Sequence, residues 1–219
     1  GYKLKFGKSN DLKWGPFAGL PEQRADDINE MFGSSDIDAI FCARGGYGAN
    51  RVLPLLDYNL IKENPKIFIG YSDITALLTS ITQKTSMVTF HGPMLTSYKD
   101  SWVEYNYSLM QRVLSGEKFI KIYSPDGLET KILKHGIAHG PLWGGNMCLL
   151  INRLGTNESL NTDGVILFLE DILWFIFNPH FTIKKYLKKG IWWHSKQPWY
   201  FGMPLHNYII SIIVLIISY

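Results

Sequence analysis

The chain has 219 residues and a mass of 25.1 kDa, long enough for one large domain or two small ones. Because 46% of the residues are hydrophobic, it can bury a substantial core, which excludes collagen-like, low-complexity and wholly disordered proteins. With 22 basic and 19 acidic residues, the net charge of +3 is too small for a field that grips a polyanion, so nucleic acid is not an expected partner.

The first part of the chain alternates between strand and helix patterns. Residues 37–43 are an apolar run that ends at two glycines, as a buried parallel strand does. Residues 50–56 have helical apolar positions but contain Pro54. We therefore expect this helix to be short, or to begin again near Asp57.

The same alternation continues towards the middle of the chain. Residues 66–71 predict a second strand, and residues 87–90 predict a third. Between them a helix is expected over residues 74–84, with Ser72 and Asp73 as its cap. Strand, helix and strand at this spacing predict crossover units and a parallel sheet, in which functional residues lie at the C-terminal ends of strands.

A second region is expected to begin after residue 98. Its predicted elements are a helix over 102–114, short strands over 118–123 and 130–133, a buried helix over 144–154 entered through glycines, and a buried strand over 165–169. We therefore predict an N-terminal α/β domain over residues 1–98 and the start of a second domain over residues 99–171.

The composition changes after Asp171. Residues 172–219 contain no acidic residue but hold five lysines and four of the seven tryptophans, so we predict a separate basic, aromatic and apolar tail. One interpretation is a basic, aromatic surface for a membrane or nucleic acid. The other, favoured because the aromatic residues do not interleave regularly with the lysines, is a tail with which this domain did not evolve.

Two further features bear on the setting of the protein. Residues 207–219 carry no charge, but as a helix they would span only about 20 Å of a hydrocarbon core about 30 Å thick, so a membrane anchor is not expected. A buried strand pair, a buried helix or an unnatural tail is expected instead. The opening residues from Gly1 lack the pattern of a signal peptide, and we expect the chain to begin inside a longer protein.

The cysteines and histidines indicate neither disulfides nor a metal. Cys42 and Cys148 lie in apolar runs without C-x-x-C spacing, which favours a reducing compartment such as the cytoplasm. None of the six histidines has metal-ligand spacing with another, and the glycine patterns of nucleotide-binding loops are missing, so we predict no metal and no other cofactor.

Ser72 is a candidate nucleophile. It lies between a predicted strand and a predicted helix, where its hydroxyl would stand at a sharp turn beside helix N-terminal N–H groups. The surrounding sequence lacks the second glycine of the G-x-S-x-G pattern. A helix cap formed by Ser72 and Asp73 is therefore the alternative interpretation.

The glycines after the first strand are candidates for an anion-binding loop. Gly45, Gly46 and Gly48 could present backbone N–H groups as an oxyanion hole, or could simply form a tight turn. Arg44, beside them, has the fork geometry that binds a substrate carboxylate, although a surface role is the alternative.

Glu170 and the histidines complete the candidate residues. Glu170 ends an apolar strand, where a buried carboxylate needs a partner and could orient a catalytic base, or could point into water. His91 directly follows a predicted strand and could reach such a site. The other histidines have no predicted place.

Five segments taken together resemble one family. They are RGGYGANRVLPLLDY, PKIFIGYSDITALL, VTFHGPML, GPLWGGNMCLL and VILFLEDI, which occur in the same order in the LD-carboxypeptidase family of serine peptidases. That family also contains the microcin-immunity enzymes, and the resemblance covers about residues 20 to 172. It implies a flavodoxin-like α/β domain, here lacking its first strand, a partial, mostly β C-terminal domain, and an active site between them.

The resemblance also implies roles for individual residues. Ser72 would be the nucleophile, Glu170 the carboxylate that orients the base, and the backbone N–H groups of Gly46 and Asp73 the oxyanion donors. Trp143 would be a wall that faces the substrate. The implied reaction is acyl transfer to serine and then to water, which releases a terminal D-amino acid from a cytoplasmic murein peptide or a related peptidyl conjugate. A homodimer, common in the family, is also implied.

The resemblance weakens after residue 172. The family histidine lies farther beyond the carboxylate than this sequence extends, and His206 is the candidate for a displaced base. Without an imidazole the serine is a poor nucleophile, so we expect impaired hydrolysis. The alternatives are a truncated or frame-shifted, inactive remnant and a module that only binds peptide.

Overall fold

The computed structural model describes residues 2–97, 104–123, 132, 135–171 and 213–215. Within them the fold is mixed α/β and contains two three-stranded sheets. The predicted tail of residues 172–219, with His180, His194 and His206, lies outside the described residues except at 213–215, as do the ends of several predicted elements.

The first sheet has three parallel strands, as predicted, and their order is β1-β2-β3. β1 is Ala39–Phe41, β2 is Ile67–Gly70 and β3 is Phe90–His91. Ile40 pairs with Phe68, and Gly70 pairs with His91. The register therefore places His91 beside the C-terminal end of β2, where the chain turns into Ser72.

Helices connect these strands. α1 (Pro21–Gly33) precedes β1, α2 (Tyr58–Glu63) lies between β1 and β2, and α3 (Thr75–Thr85) lies between β2 and β3. The Asp57 carboxylate accepts hydrogen bonds from the first amides of α2, which confirms the predicted restart after Pro54. Residues 49–51 and 53–55 form short 3₁₀ turns, since proline prevents a continuous helix there.

The core of this region is one apolar cluster between the sheet and its helices. Phe32 of α1 stacks on Phe68 of β2 with ring centroids 5.8 Å apart, and Ile81 of α3 is completely buried. The other buried members include Ile40, Val52, Leu53, Ile61, Ala76, Leu77, Leu78 and Met94. Phe68 and Ile69 are adjacent in β2 and both buried, so both faces of this strand are covered, which explains why it appears in the sequence as a continuous apolar run.

The second region differs from its prediction in two places. α4 is Glu104–Leu114, β4 is Leu142–Asn146, α5 is Met147–Asn152 and β5 is Ile166–Glu170. The glycines before α5 belong to a strand rather than to a helix. Residues 118–123 form no strand, and of residues 130–133 only residue 132 is described. β4 and β5 are parallel, and β6 (Ile213–Leu215) pairs antiparallel with β5.

Helix α3 joins the two regions. Arg153, at the end of α5, is only 4% exposed and donates hydrogen bonds to the carbonyl of Ala76 and to the hydroxyls of Thr79 and Ser80. Glu158 accepts a hydrogen bond from the same Ser80 hydroxyl. A buried guanidinium is costly unless its donors are satisfied, so this cluster fixes the second sheet against α3.

Residues 207–219 are described only at 213–215, where they form β6. Within the described ranges, no helix combines the length and apolar character needed to cross a bilayer.

Candidate active site

Ser72 lies at a constrained turn between β2 and α3. Its φ of 61° is in the left-handed region, which a residue with a Cβ rarely adopts, and a 3₁₀ turn over 72–74 follows. Gly45 lies directly against it, because a Cβ on Gly45 would be 3.1 Å from Ser72 Cβ and 3.2 Å from Ser72 Oγ. A larger residue at position 45 would therefore crowd the hydroxyl.

The predicted helix cap is wrong. The Asp73 carboxylate does not bond to an amide of α3, but accepts the backbone N–H of Ala49 at 2.9 Å in a buried position. Burial raises the pKa of Asp73, while that N–H and the charge of Arg24 oppose the rise. Asp73 thus ties the Ser72 turn to the glycine loop, a long-range contact that no local pattern indicates.

The glycine loop is held from its other side as well. Arg24 Nη1 donates to the Gly48 carbonyl at 3.4 Å, and Phe17 packs against Gly48 so closely that a Cβ there would be 2.8 Å from the ring. Gly46, predicted as an oxyanion donor, has a φ of 124°, and open space lies where a Cβ would be. Arg44 is exposed at the start of this loop.

Glu170 ends β5 with its side chain only 12% exposed. It pairs in register with Asn146 at the end of β4. Burial, with the charge of Asp171, raises the pKa of Glu170 to about 7, while the Asn146 side chain and the Ser72 backbone N–H oppose the rise as hydrogen-bond donors. The two sheets therefore bring the Glu170 carboxyl next to the Ser72 turn, although the residues are far apart in sequence.

The position of β4 depends on its contact with α3. The Asn146 N–H donates to Thr75 Oγ1 at 3.0 Å, and Thr75 is completely buried. A Cβ on Gly145 would be 2.7 Å from the Thr75 side chain, so only glycine lets the strand approach this closely. Asn146 Oδ1 also accepts the Leu149 N–H and caps α5.

His91 lies next to Glu170. Its Nε2 is 3.9 Å from Glu170 Oε1, and its side chain is 24% exposed. The imidazole makes edge contacts with Phe168 and Tyr71, with ring centroids 5.0 and 6.3 Å away. Burial lowers the pKa of His91 to about 4, so the ring is neutral at pH 7.

Comparison with known proteins is consistent with this arrangement. Residues 1–92 match the model of the LD-carboxypeptidase N-terminal domain, and residues 139–189 match that of the LD-carboxypeptidase C-terminal domain. The chain belongs to the LD-carboxypeptidase family.

Individual members of that family are similar over much of this chain. A Bacillus subtilis protein named "Probable murein peptide carboxypeptidase" is 39% identical over 174 residues, which are 78% of this chain and 54% of that protein. The microcin C7 self-immunity protein MccF of Escherichia coli is 34% identical over 200 residues, covering 78% of this chain and 58% of MccF. The chain thus spans little more than half the length of these relatives.

A solved structure supports the fold. The structure of MccF in complex with glutamyl sulfamoyl guanosine superposes with a TM-score of 0.64 at 31% identity, over 75% of this chain and 57% of the other. The α/β architecture is therefore that of LD-carboxypeptidases, as the resemblance implied.

Trp143 lies near the candidate site, whereas the described histidines other than His91 lie on the surface. Trp143 is half-buried and packs against the second apolar cluster, and it lines a small cavity together with His91 and Phe168. His135 and His139 are exposed, and His206 lies outside the described residues. Among the described residues, no side chain hydrogen-bonds to the Ser72 hydroxyl.

Asn146 and Thr75 are the residues of the candidate site that sequence reasoning missed. Asn146 follows two glycines and precedes an apolar helix, a pattern typical of an N-cap, which could have ended the predicted helix there. Thr75 carries no such signal. A threonine in the first turn of a helix gives no indication that it supports a distant strand.

The thiols and acidic groups offer no alternative chemistry in the described part of the chain. Cys42 and Cys148 are free, and burial raises their pKa values to about 12 and about 11. Both therefore stay protonated and are poor nucleophiles. No group of three or more histidine, cysteine and acidic side chains suited to a metal ion occurs within those described residues.

Proposed function

We propose that the protein is a serine hydrolase of the carboxypeptidase type that releases a terminal D-amino acid from a murein peptide, with Ser72 as nucleophile. The observation that carries this proposal is the meeting of the Ser72 turn and the Glu170 carboxyl at one edge, where the Ser72 backbone N–H faces that carboxyl. Membership of the LD-carboxypeptidase family supports it.

The proposed reaction follows from these groups. Ser72 Oγ attacks the carbonyl carbon of the terminal peptide bond while a base takes its proton, and the negative charge that forms on the carbonyl oxygen is stabilised by the N–H groups of Gly46 and Asp73. The C–N bond then breaks, the amine leaves with that proton, and water releases the acyl group from serine. Glu170 would orient the imidazole that serves as base.

In this proposal the rate of hydrolysis depends on the imidazole that accepts the proton of Ser72. Because no described imidazole bonds to the Ser72 hydroxyl, His206 is the proposed source, and hydrolysis is expected to be impaired relative to a complete triad. Loss of one member of such a triad typically costs several orders of magnitude in rate.

The proposed ligand is a small peptide or peptidyl conjugate. Relatives are named for murein peptides, and MccF has been solved with a glutamyl sulfamoyl nucleoside. Arg44 is proposed to bind the substrate carboxylate, because it is exposed beside the glycine loop, and Trp143 is proposed as a wall of the site. We propose a cytoplasmic enzyme without a nucleic-acid partner, and a homodimer.

Labelling with a fluorophosphonate probe tests the nucleophile. Adduct formation is expected with the unaltered chain and absent in Ser72→Ala, whereas Ser35→Ala, which changes an exposed turn serine, should label normally. Hydrolysis of murein tetrapeptide is followed by mass spectrometry of the released amino acid. The rate should be lost in Ser72→Ala, unchanged in Ser35→Ala and lowered in His206→Ala. Labelling that persists in Ser72→Ala would refute the assignment.

A peptide-binding module without catalysis is the second candidate. It is favoured by the Ser72 hydroxyl, which lacks a bonded base among the described residues. Calorimetry with murein tetrapeptide would then detect binding that Arg44→Ala weakens, while the probe leaves Ser72 unmodified. Ser72-dependent release of the amino acid would exclude this alternative.

A further inference from the structure

One oxygen of the candidate site is buried without a partner. Glu170 Oε1 is shielded from solvent and accepts no hydrogen bond from any described residue. A buried acceptor left in this state costs about 1–3 kcal/mol, so such atoms in native proteins usually mark a functional contact or a missing partner. The imidazole of His91 lies close to this oxygen, with Nε2 3.9 Å from Oε1.

The imidazole of His91 is held in place on several sides. β3 pairs with β2 at Gly70, and Gly92 N–H donates to the Gly70 carbonyl at 3.0 Å, which fixes the backbone of His91. Phe168 and Tyr71 contact the edges and faces of the ring. A ring fixed in this way, with one nitrogen directed at a carboxyl, is suited to orient that carboxyl.

The separation can close by a small movement. His91, Trp143 and Phe168 line a small cavity of about 50 Å³, which is also bordered by Thr79 and Thr82 of α3 and by Thr89 just before β3. The cavity leaves space beside the ring. A displacement of about 1 Å would bring Nε2 and Oε1 to hydrogen-bond distance.

We propose that His91 is a positioning residue for Glu170. In the tautomer that carries its proton on Nε2, the imidazole donates a hydrogen bond to Glu170 Oε1 and fixes the carboxyl, leaving the other oxygen for the catalytic base. This inference rests on the proposed hydrolase, because only there does the orientation of Glu170 matter for turnover. The contact itself is independent of turnover and can be measured without it.

The neutral state of the ring agrees with this role. Burial holds the pKa of His91 at about 4, so at pH 7 the ring supplies a donor without a charge. Among the described residues, the groups that act on the Glu170 carboxyl are His91 of β3, Asn146 of β4, the Ser72 backbone N–H, Asp171, which is next in the chain, and the Cys148 thiol of α5. A donor on Nε2 favours the ionised carboxylate, so its loss should raise the pKa of Glu170.

Carbon-detected NMR of the Glu170 carboxyl tests the contact. The signal is assigned by its absence in Glu170→Gln. Its titration is then followed in the unaltered full chain and in two variants. His91→Phe keeps a ring without a donor, and His91→Gln restores an N–H near the position of Nε2. We expect the titration midpoint to rise by about one pH unit in His91→Phe and to return towards the original value in His91→Gln. His139→Gln, which alters an exposed histidine, is the matched control and should leave the midpoint unchanged.

Two results would overturn the proposal. The first is a midpoint that is unchanged in a folded His91→Phe; the second is one that falls, which would mean that Glu170 donates to the ring instead. Where the chain turns over murein tetrapeptide, kcat should fall about tenfold to hundredfold in His91→Phe with KM unchanged, with partial recovery in His91→Gln. An inactive chain that still shows the midpoint shift would refute the proposed hydrolase but keep the His91 contact.

Discussion

The Ser72 turn and the Glu170 strand end face each other, but the chain secures them by different means. Around Ser72, the glycine loop, the Asp73 carboxylate and Arg24 form contacts within the first 98 residues. Glu170 instead depends on Thr75 and Asn146 through β4, and keeps one oxygen without a partner among the described residues. The nucleophile side is thus organised by its own sheet, whereas the carboxylate side is organised by contacts between the two regions.

The comparison predicts the largest effect where the two regions are joined. Arg153→Met should lower the free energy of unfolding by about 3–5 kcal/mol, because it removes a buried cation, its hydrogen bonds to two hydroxyls and a carbonyl, and its ion pair with Glu158. Urea denaturation measures this. Arg112→Met, which breaks an exposed pair with Glu117, is the control and should change stability little. Equal losses in both variants would contradict a special role for the joint.

Glu170 should make stability depend on pH. Burial raises its pKa from the ordinary 4.5 to about 7, so the folded state holds the proton more tightly, and this stabilisation is complete below pH 4.5 and lost as pH rises through 7. The difference in free energy of unfolding between Glu170→Gln and the unaltered chain should therefore shift by about 2–3 kcal/mol in favour of the variant between pH 4.5 and pH 8. Urea denaturation at both pH values gives the difference.

Glu63→Gln is the matched control for that measurement, since Glu63 is exposed on α2. Its stability relative to the unaltered chain should not vary over the same pH interval. A Glu170→Gln profile that is as flat as the control would show that the carboxyl is solvated in the folded protein.

A smaller effect is expected at the glycine loop. Asp73→Ala leaves the buried N–H of Ala49 without its acceptor and should lower the free energy of unfolding by about 1–2 kcal/mol. Hydrogen exchange should accelerate at the Ala49 amide, while the amides of β5 are unaffected. Asp73→Asn keeps an acceptor oxygen and should preserve most of the protection. Acceleration that extends equally to β5 would mean that the two sides of the site are not secured separately.

The smallest effect is expected at Thr75. Thr75→Val keeps the shape but removes the acceptor for the Asn146 N–H, at a cost of about 1 kcal/mol, whereas Thr75→Ser keeps the oxygen. Exchange at the Asn146 amide should increase in the valine variant only. No change at that amide would place the support of β4 elsewhere, for instance in the close packing of Gly145.

The sequence predicted the first sheet better than the second region. Strands β1 and β2 and helix α2 were predicted because apolar runs, Pro54 and Asp57 act locally. The glycines at 144–145 were assigned to a helix, since nothing local shows that a strand needs them to approach Phe168 and Thr75. The Asp73 cap was wrong for a similar reason: its true partner, Ala49, is distant in sequence.

The sequence alone determined the identity of the candidate residues and the parallel direction of the strands in the first sheet, because periodicity, turn residues and family motifs are local properties. The tertiary structure decided which groups meet. The Ser72 turn, Glu170 and His91 come together because three strand ends and one helix converge, and the pKa of the carboxyl follows from the burial that this convergence creates. Burial and long-range contact belong to the packed chain, so no single segment reveals them.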